Sequence, residues 1–333
     1  MDDVTVTLKK SASIIKDEID ASLSNIIPQD LKNASIYLTN AGGKMLRPGL
    51  TLLTCQLVGG SESDAVKSGV AIELIHTFSL IHDDIMDDDE VRRGQPAVHV
   101  KWDEPLAILS GDILFSKAFE IALSLKESNP NVSSDAVLET LNTIADSCIK
   151  ICEGQALDMS FEGNFEVCED DYLDMIFKKT GALIAAATKI GAIAGGADLN
   201  DISTLYEYGK LIGLAFQIHD DYLDLTSDEE SLGKPIGSDI AEGKMTLIVV
   251  NALEKANDED KQTILKILKE ENNSLEQIDQ VMNLFNKYGS IEYASNIAQT
   301  YVNDAKKILS NFEDSYAKET LLKLADYVIG RST

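Results

Sequence analysis

Apolar side chains return every three to four residues along almost the whole chain, and this one pattern excludes most architectures. Residues 62 to 90 carry Val66, Val70, Leu74, Ile75, Phe78 and Ile81 at helical spacing. The same period predicts helices over 105–126, 134–158, 169–195, 198–225, 246–270, 275–288, 291–310 and 314–330. Only 6 prolines and 21 glycines interrupt 333 residues, so long helices are favoured over a many-turned β fold. Breaks fall at Gly42-Gly43, Gly59-Gly60, Gly94 to Pro96, Asn129-Pro130, Gly163-Asn164 and from Ser227 to Gly243. No alternating β-branched run competes with these helices, and no stretch rich in Pro, Ser or Gly separates two domains. The expectation is an all-α fold in which residues 1–333 form a single domain, a bundle of ten or more helices. The most apolar stretch, GALIAAATKIGAIAGGA (181–197), is short and contains Lys189, so it reads as a close-packed buried helix and not as a membrane span.

Twenty-nine basic residues against 56 acidic ones give a net charge of −27. So acidic a surface disfavours nucleic acid and anionic membranes as partners. Any cluster of Lys and Arg therefore stands out. Four scattered cysteines with no CxxC pair argue against both a disulfide framework and a zinc site, and point to a reduced, cytoplasmic protein. The opening MDDVTVTLKK lacks the apolar run of a signal peptide.

Against this background LIHDDIMDDDEVRRGQ (80–95) is unusual, with five aspartates between Asp83 and Asp89. Two carboxylates about 5 Å apart at an effective dielectric constant of about 20 repel by roughly 3 kcal/mol. Either the face is solvated or a cation offsets the charge. IHDDIMD (81–87) returns as IHDDYLD (218–224), each copy inside an apolar helical stretch. On a helix Asp83 and Asp87 point the same way, with Asp84 turned aside, and Asp220, Asp221 and Asp224 repeat the arrangement. A single DDxxD in so acidic a chain is equally well read as a solvated face. Two copies, each followed by a basic element, favour Mg²⁺ bound by carboxylates and substrate phosphate. Asp88 and Asp89 read as solvated.

The basic complement is distributed in four places: Lys44 and Arg47 in GGKMLRP, Arg92 and Arg93 at the expected helix end before Gly94, Lys178 and Lys179 before Thr180-Gly181, and Lys234 and Lys244 in GKPIGSDIAEGKMT. Arginine's planar fork suits bidentate phosphate binding. Four clusters beside glycines or helix ends suggest more anion than one diphosphate carries.

GGKMLRP, HDDIMD followed by RRG, KTG, FQIHDDYLD and GKPIGSDIAEGK, in this order over residues 40 to 250, resemble the trans-isoprenyl diphosphate synthases, or polyprenyl synthetases. The likeness is strongest to archaeal-type short-chain geranylgeranyl diphosphate synthases. It implies the all-α isoprenoid synthase fold around a central cavity, a homodimer, and head-to-tail condensation of isopentenyl diphosphate with C5, C10 or C15 allylic diphosphates. It implies two or three Mg²⁺ per active site, held on the allylic diphosphate by Asp83, Asp84, Asp87, Asp220, Asp221 and Asp224, with Asp83, Asp87 and Asp220 the direct ligands. Arg92, Lys179, Lys234 and Lys244 would contact the same diphosphate. Lys44, Arg47, His76 and Arg93 would bind isopentenyl diphosphate, and Thr180 and Gln217 would aim oxygen at the allylic cation. Phe78, five residues before Asp83, and the small Ser79 would set chain length at C20, with C15 or a C15/C20 mixture as the alternative.

Other readings fit less well. Glu73-Leu-Ile-His76 has the ExxH form used by di-iron bundles, but no other histidine has Glu three residues before it. A class I terpene cyclase needs no second diphosphate site, which Lys44, Arg47 and Arg93 would supply. A head-to-head synthase uses DxxED-like sets, absent here, and a non-catalytic subunit tends to lose the Asp sets. His82 and His219, next to the Asp pairs, read equally as partners of the carboxylates or as core.

Overall fold

The computed structural model describes residues 3–129, 132–227, 236–270 and 273–330, and these are overwhelmingly helical. Local chemistry sets the helix starts. The Asp64 carboxylate accepts the Ser61 backbone N–H at 2.8 Å, closing a capping box that opens Glu62–Met86. Asp103 accepts from the Leu106 N–H at 2.8 Å and Pro105 follows, which opens Glu104–Leu123. Ser274 and Gln277 cap Leu275–Lys287 reciprocally.

The chain forms two compact units. One comprises Met1–Ile149, Leu183–Gly209 and Ile308–Leu324, the other Lys150–Ala182, Lys210–Lys307 and Ala325–Thr333. In the first, Leu50, Leu53, Ile72, Leu74 and Leu114 are fully or almost fully buried. In the second, Tyr172, Ile218, Leu247, Val281 and Phe285 form the centre of the core. Each such side chain contributes about 1.5–3 kcal/mol by leaving water. The alanine-rich stretch is a buried helix, Ala182–Ala194, whose Lys189 reaches Glu139 at 2.7 Å. Among the described residues no helix is long and apolar enough to cross a membrane.

Four expected elements are revised. The helix expected over 62–90 ends at Met86, because Asp87 caps it, Asp88 turns left-handed (φ 54°) and Asp89 N–H returns to Asp84 C=O at 2.9 Å. Carboxylates at a helix C-terminus meet the negative end of its dipole, so continuing through them is unfavourable. The helix expected over 169–195 is three pieces: Glu169–Ile176, a π-turn Phe177–Gly181 and Ala182–Ala194. The one over 246–270 divides into Leu247–Lys255 and Asp258–Leu268, with Asn257 capping the second, and 105–126 divides at Ser124. The only sheet among the described residues is a two-residue pairing of Val91–Arg92 with Gln95–Pro96.

Candidate active site

The first Asp set lies at the end of Glu62–Met86. Asp84 is 1% exposed and turns away from water. Arg92 Nε donates to its Oδ1 at 2.6 Å, Arg92 Nη2 pairs with the same oxygen, and Nη2 also donates to Asp89 at 2.9 Å. Burial raises Asp84 above the usual carboxylate range, and the Arg92 hydrogen bond and charge work against that rise. Asp84 Oδ2 remains a buried acceptor without a hydrogen-bond partner. Arg92 was expected at a helix end; it lies instead on the hairpin, five residues past the Asp87 cap. The hairpin is anchored by Ala97 N–H to Glu90 C=O (2.8 Å) and by Tyr37 Oη to Pro96 C=O (3.1 Å). Lys101 stands 3.7 Å above the Tyr37 ring.

At the hairpin tip Arg93 is left-handed (φ 54°) and donates to Leu38 C=O at 3.2 Å and to Gly42 C=O. A Cβ on Gly43 would stand 3.0 Å from the Arg93 guanidinium carbon, so the diglycine lets the loop close on that side chain. The loop leads through exposed Lys44 and left-handed Met45 (φ 47°) into Leu46–Leu57, where Arg47 Nη1 lies 3.3 Å from His76 Nε2. Burial, then Arg47, Arg93 and Arg92, hold His76 well below the ordinary imidazole range, so the ring is neutral. Of the residues expected to bind isopentenyl diphosphate, Arg47, His76 and Arg93 are thus brought together.

Phe78 touches the His82 ring (4.8 Å between centroids) and Phe115 (5.3 Å), which in turn meets Phe119 (5.1 Å). Ser79 donates to His76 C=O at 2.9 Å. His82 Nε2 lies 3.1 Å from Ile108 C=O, and buried His219 stacks on Tyr222.

The second Asp set lies on Leu199–Thr226. Asp221 is half-buried between two neutral donors, Tyr172 Oη at 2.6 Å and Gln217 Nε2 at 3.0 Å. Burial, then the Asp239 charge, push its carboxyl up to about 8, while those two hydrogen bonds oppose the shift. The amide oxygen of Gln217 accepts from Thr180 Oγ1 at 2.8 Å. Thr180 reaches it because the π-turn packs backbone to backbone: a Cβ on Gly213 would come within 2.5 Å of Gly181 Cα. Asp224, 2% exposed, accepts from Ser238 Oγ (2.6 Å) and Asp239 N–H (3.1 Å), fastening the turn at Ser238–Ala241.

Lys179 donates to Asp158, whereas Lys178 faces outward to Asp174 (2.9 Å) and Glu153 (3.3 Å). Lys244 pairs with Glu242 and lies 3.9 Å from Asp239. Burial works to lower Lys244, but Asp239 and then Glu242 outweigh it and hold it above the usual lysine range. A cavity of about 110 Å³ gathers Asp158, Tyr172, Lys179, Thr180, Gln217 and Lys244. Lys234 lies outside the described residues. Sequence reasoning missed Tyr172, Asp158 and Ser238, because a single Tyr, Asp or Ser on an amphipathic helix or loop carries no signal of its own.

Among the described residues no three His, Cys, Asp or Glu side chains converge into a complete cation cage. Mg²⁺ needs no such cage, since it takes one or two carboxylates and fills its shell with water and phosphate. The available donors are hard carboxylate oxygens, and the orphaned Asp84 Oδ2 is one of them, so the residues fit that ion.

The sequence model of the polyprenyl synthetase family matches residues 28–285. A short chain isoprenyl diphosphate synthase of Methanothermobacter thermautotrophicus is 54% identical over 99% of both chains. A geranylgeranyl diphosphate synthase of Methanosarcina mazei is 46% identical over 97% of both. The crystal structure of geranylgeranyl pyrophosphate synthetase from Pyrococcus horikoshii superposes with a TM-score of 0.92, 40% identity and 98% coverage of each chain.

Proposed function

The chain belongs to the polyprenyl synthetase family, and from that premise we propose that it condenses isopentenyl diphosphate head to tail with allylic diphosphates, ending at the C20 geranylgeranyl product. It is an enzyme, a prenyltransferase. The family match runs without a break through residues of both compact units, which supports a single working domain. The exposed apolar Ile108, Leu109 and Leu123 on Glu104–Leu123 support a homodimer, and the cysteine usage supports a cytoplasmic setting.

The observation that carries the mechanism is the Thr180–Gln217–Asp221–Tyr172 chain. Thr180 spends its one hydroxyl proton on Gln217, and the Gln217 amide turns its nitrogen to Asp221 with one N–H donated there. Oxygen lone pairs on Thr180 and Gln217 are left to face positive charge developing at C1 of the allylic substrate. In the reaction the C1–O bond breaks and its electron pair leaves with diphosphate. The isopentenyl double bond then attacks C1, and the proton lost from its C2 goes to the departing diphosphate.

Asp83, Asp87 and Asp220 are the direct carboxylate ligands of this reading. Asp84 keeps its Oδ2 for the ion while Arg92 holds Oδ1, and Asp221 and Asp224, each already receiving protein donors, orient the set from behind. Mg²⁺ bound there would neutralise the leaving diphosphate. Lys179, Lys244 and Arg92, with Lys234, contact that diphosphate, and Lys44, Arg47, His76 and Arg93 hold the second one.

Labelled isopentenyl diphosphate incubated with C5, C10 and C15 allylic diphosphates tests the reading, with Mg²⁺ and with EDTA. Mg²⁺-dependent growth to C20 is expected. Diphosphate release from the allylic substrate alone, without growth, would replace it with a cyclase. Replacing Phe78 by Ala removes the ring that stands against Phe115 and should shift products beyond C20; an unchanged chain-length distribution would remove Phe78 as the stop.

A further inference from the structure

The tip of the hairpin breaks the rule for its own turn. Val91 pairs with Pro96 and Arg92 with Gln95, so Arg93 and Gly94 form a two-residue loop. Both have positive φ, 54° and 71°, as a type I′ turn requires. Glycine suits its place there. The first place favours Asn, Asp or Gly, and an arginine in it persists only while its surroundings hold it. Those surroundings come from the end of one helix, Gln29–Asn40. A helix's last turn leaves carbonyls without helical partners and presents the negative end of its dipole. Arg93 Nη1 donates to one of these, Leu38 C=O, at 3.2 Å, and to Gly42 C=O just beyond. The neighbouring Tyr37 reaches the foot of the hairpin, where its Oη donates to Pro96 C=O at 3.1 Å.

The two strands therefore have different anchors. On Val91–Arg92, Arg92 is docked on Asp84 at 2.6 Å and on Asp89 at 2.9 Å. On Gln95–Pro96 the contact is Tyr37. The Tyr37 ring is itself set in place. Trp102 meets it edge-on with 5.2 Å between centroids, and Lys101 Nζ stands 3.7 Å above it. Both follow Pro96 through the short helix Val98–Lys101, so one stretch of chain carries the strand and the groups that fix the ring.

We propose that Tyr37 is a positioning residue of the isopentenyl diphosphate site: its hydroxyl, bonded to Pro96 C=O, seats the hairpin on the last turn of Gln29–Asn40 and so aims Arg93 at the diphosphate. The inference rests on the function proposed above, which gives Arg93 to that substrate. Arg92 and Arg93 are adjacent in sequence, yet they answer to different supports. Without the Tyr37 hydroxyl, Arg92 keeps Asp84 and Asp89, whereas Arg93 loses the strand contact that steadies its turn. The effect falls on one substrate of the two.

Tyr37→Phe keeps the ring, with Trp102 and Lys101 against it, and removes only the hydroxyl. On the full chain its KM for isopentenyl diphosphate should rise roughly three- to tenfold, with kcat and the KM for geranyl diphosphate unmoved. Calorimetric titration with isopentenyl diphosphate should show the same weakening. Amide hydrogen exchange over residues 91–97 should quicken as the hairpin loosens. Faster exchange with both KM values unmoved overturns the proposal, because the hydroxyl would then serve the hairpin alone. An equal rise in both KM values overturns it too, as does a variant indistinguishable from wild type. Lys101→Met keeps the hydroxyl and should leave the isopentenyl KM unmoved; a rise as large as that of Tyr37→Phe would place the effect in the packing of the ring and overturn the role of the hydroxyl. If neither protein elongates a chain, the proposed function fails, and a weaker isopentenyl diphosphate titration of Tyr37→Phe leaves Tyr37 standing. Elongation with equal KM values in both proteins does the reverse.

Discussion

The two Asp sets share IHDD and a third aspartate three residues on, yet their surroundings are opposite in kind. Around the first, a buried carboxylate is balanced by an arginine: Asp84 takes Arg92, which also holds Asp89. Around the second, a half-buried carboxyl takes neutral donors and faces two other carboxylates: Asp221 takes Tyr172 and Gln217 and feels Asp239 and Asp220. The Asp84 carboxylate is thus met by a positive charge, whereas the Asp221 carboxyl holds its proton more tightly. The two sets share a motif, but charge balance is decided by residues that approach from elsewhere in the chain.

The largest effects should come where the sets are alike. Asp83→Ala and Asp220→Ala should each lower kcat by about a thousandfold with melting temperature unchanged or raised, since each removes a like charge from a crowded face. Steady-state turnover beside a thermal melt would show it. A large loss for one and near-normal turnover for the other would break the parallel.

The next effects should separate the sets. Arg92→Met strands the buried Asp84 carboxylate and should cost about 2 to 3 kcal/mol, after allowance for the partial exposure of Arg92. Tyr172→Phe removes a neutral hydrogen bond and should cost about 1 kcal/mol. Urea unfolding at pH 7 would rank them, and the reverse order would mean that the second set carries the larger buried charge.

The last test is one of pH. Folded Asp221 keeps its proton up to about 8, whereas the unfolded chain releases it near the ordinary value of about 4. Its contribution to stability is whole below the ordinary value and is lost as pH rises through that window. Metal-free protein should thus melt lower at pH 8 than at pH 5, and Asp221→Asn should flatten the decline. Asp84→Asn should flatten it less, because Arg92 already opposes the rise in Asp84. A stronger flattening by Asp84→Asn would contradict the comparison.

Most helices were legible because periodicity reports burial, and the two aspartate sets stood out because repetition lifts a motif above background. Four things were not. The π-turn at Phe177–Gly181 adds one residue to one turn, a change that an averaged period absorbs. The hairpin that carries Arg92 and Arg93 has strands of two residues, too short to alternate. Tyr172 meets Asp221 across 49 positions of sequence, and no local pattern encodes such a pairing. Positive φ at Met45, Asp88 and Arg93, each beside an expected ligand, was equally hidden, since none of the three is glycine.

The contact of Gly181 with Gly213 has a practical consequence for anyone redesigning this catalyst. Randomising the Gly213 codon should fill a library with impaired clones, because the smallest added side chain comes within 2.5 Å of Gly181 Cα and pushes apart the backbones that bring Thr180 to Gln217. On the proposed reading a chain-length library is better spent on Phe78, Phe115 and Phe119, three rings that touch in series and where bulk can be traded in steps.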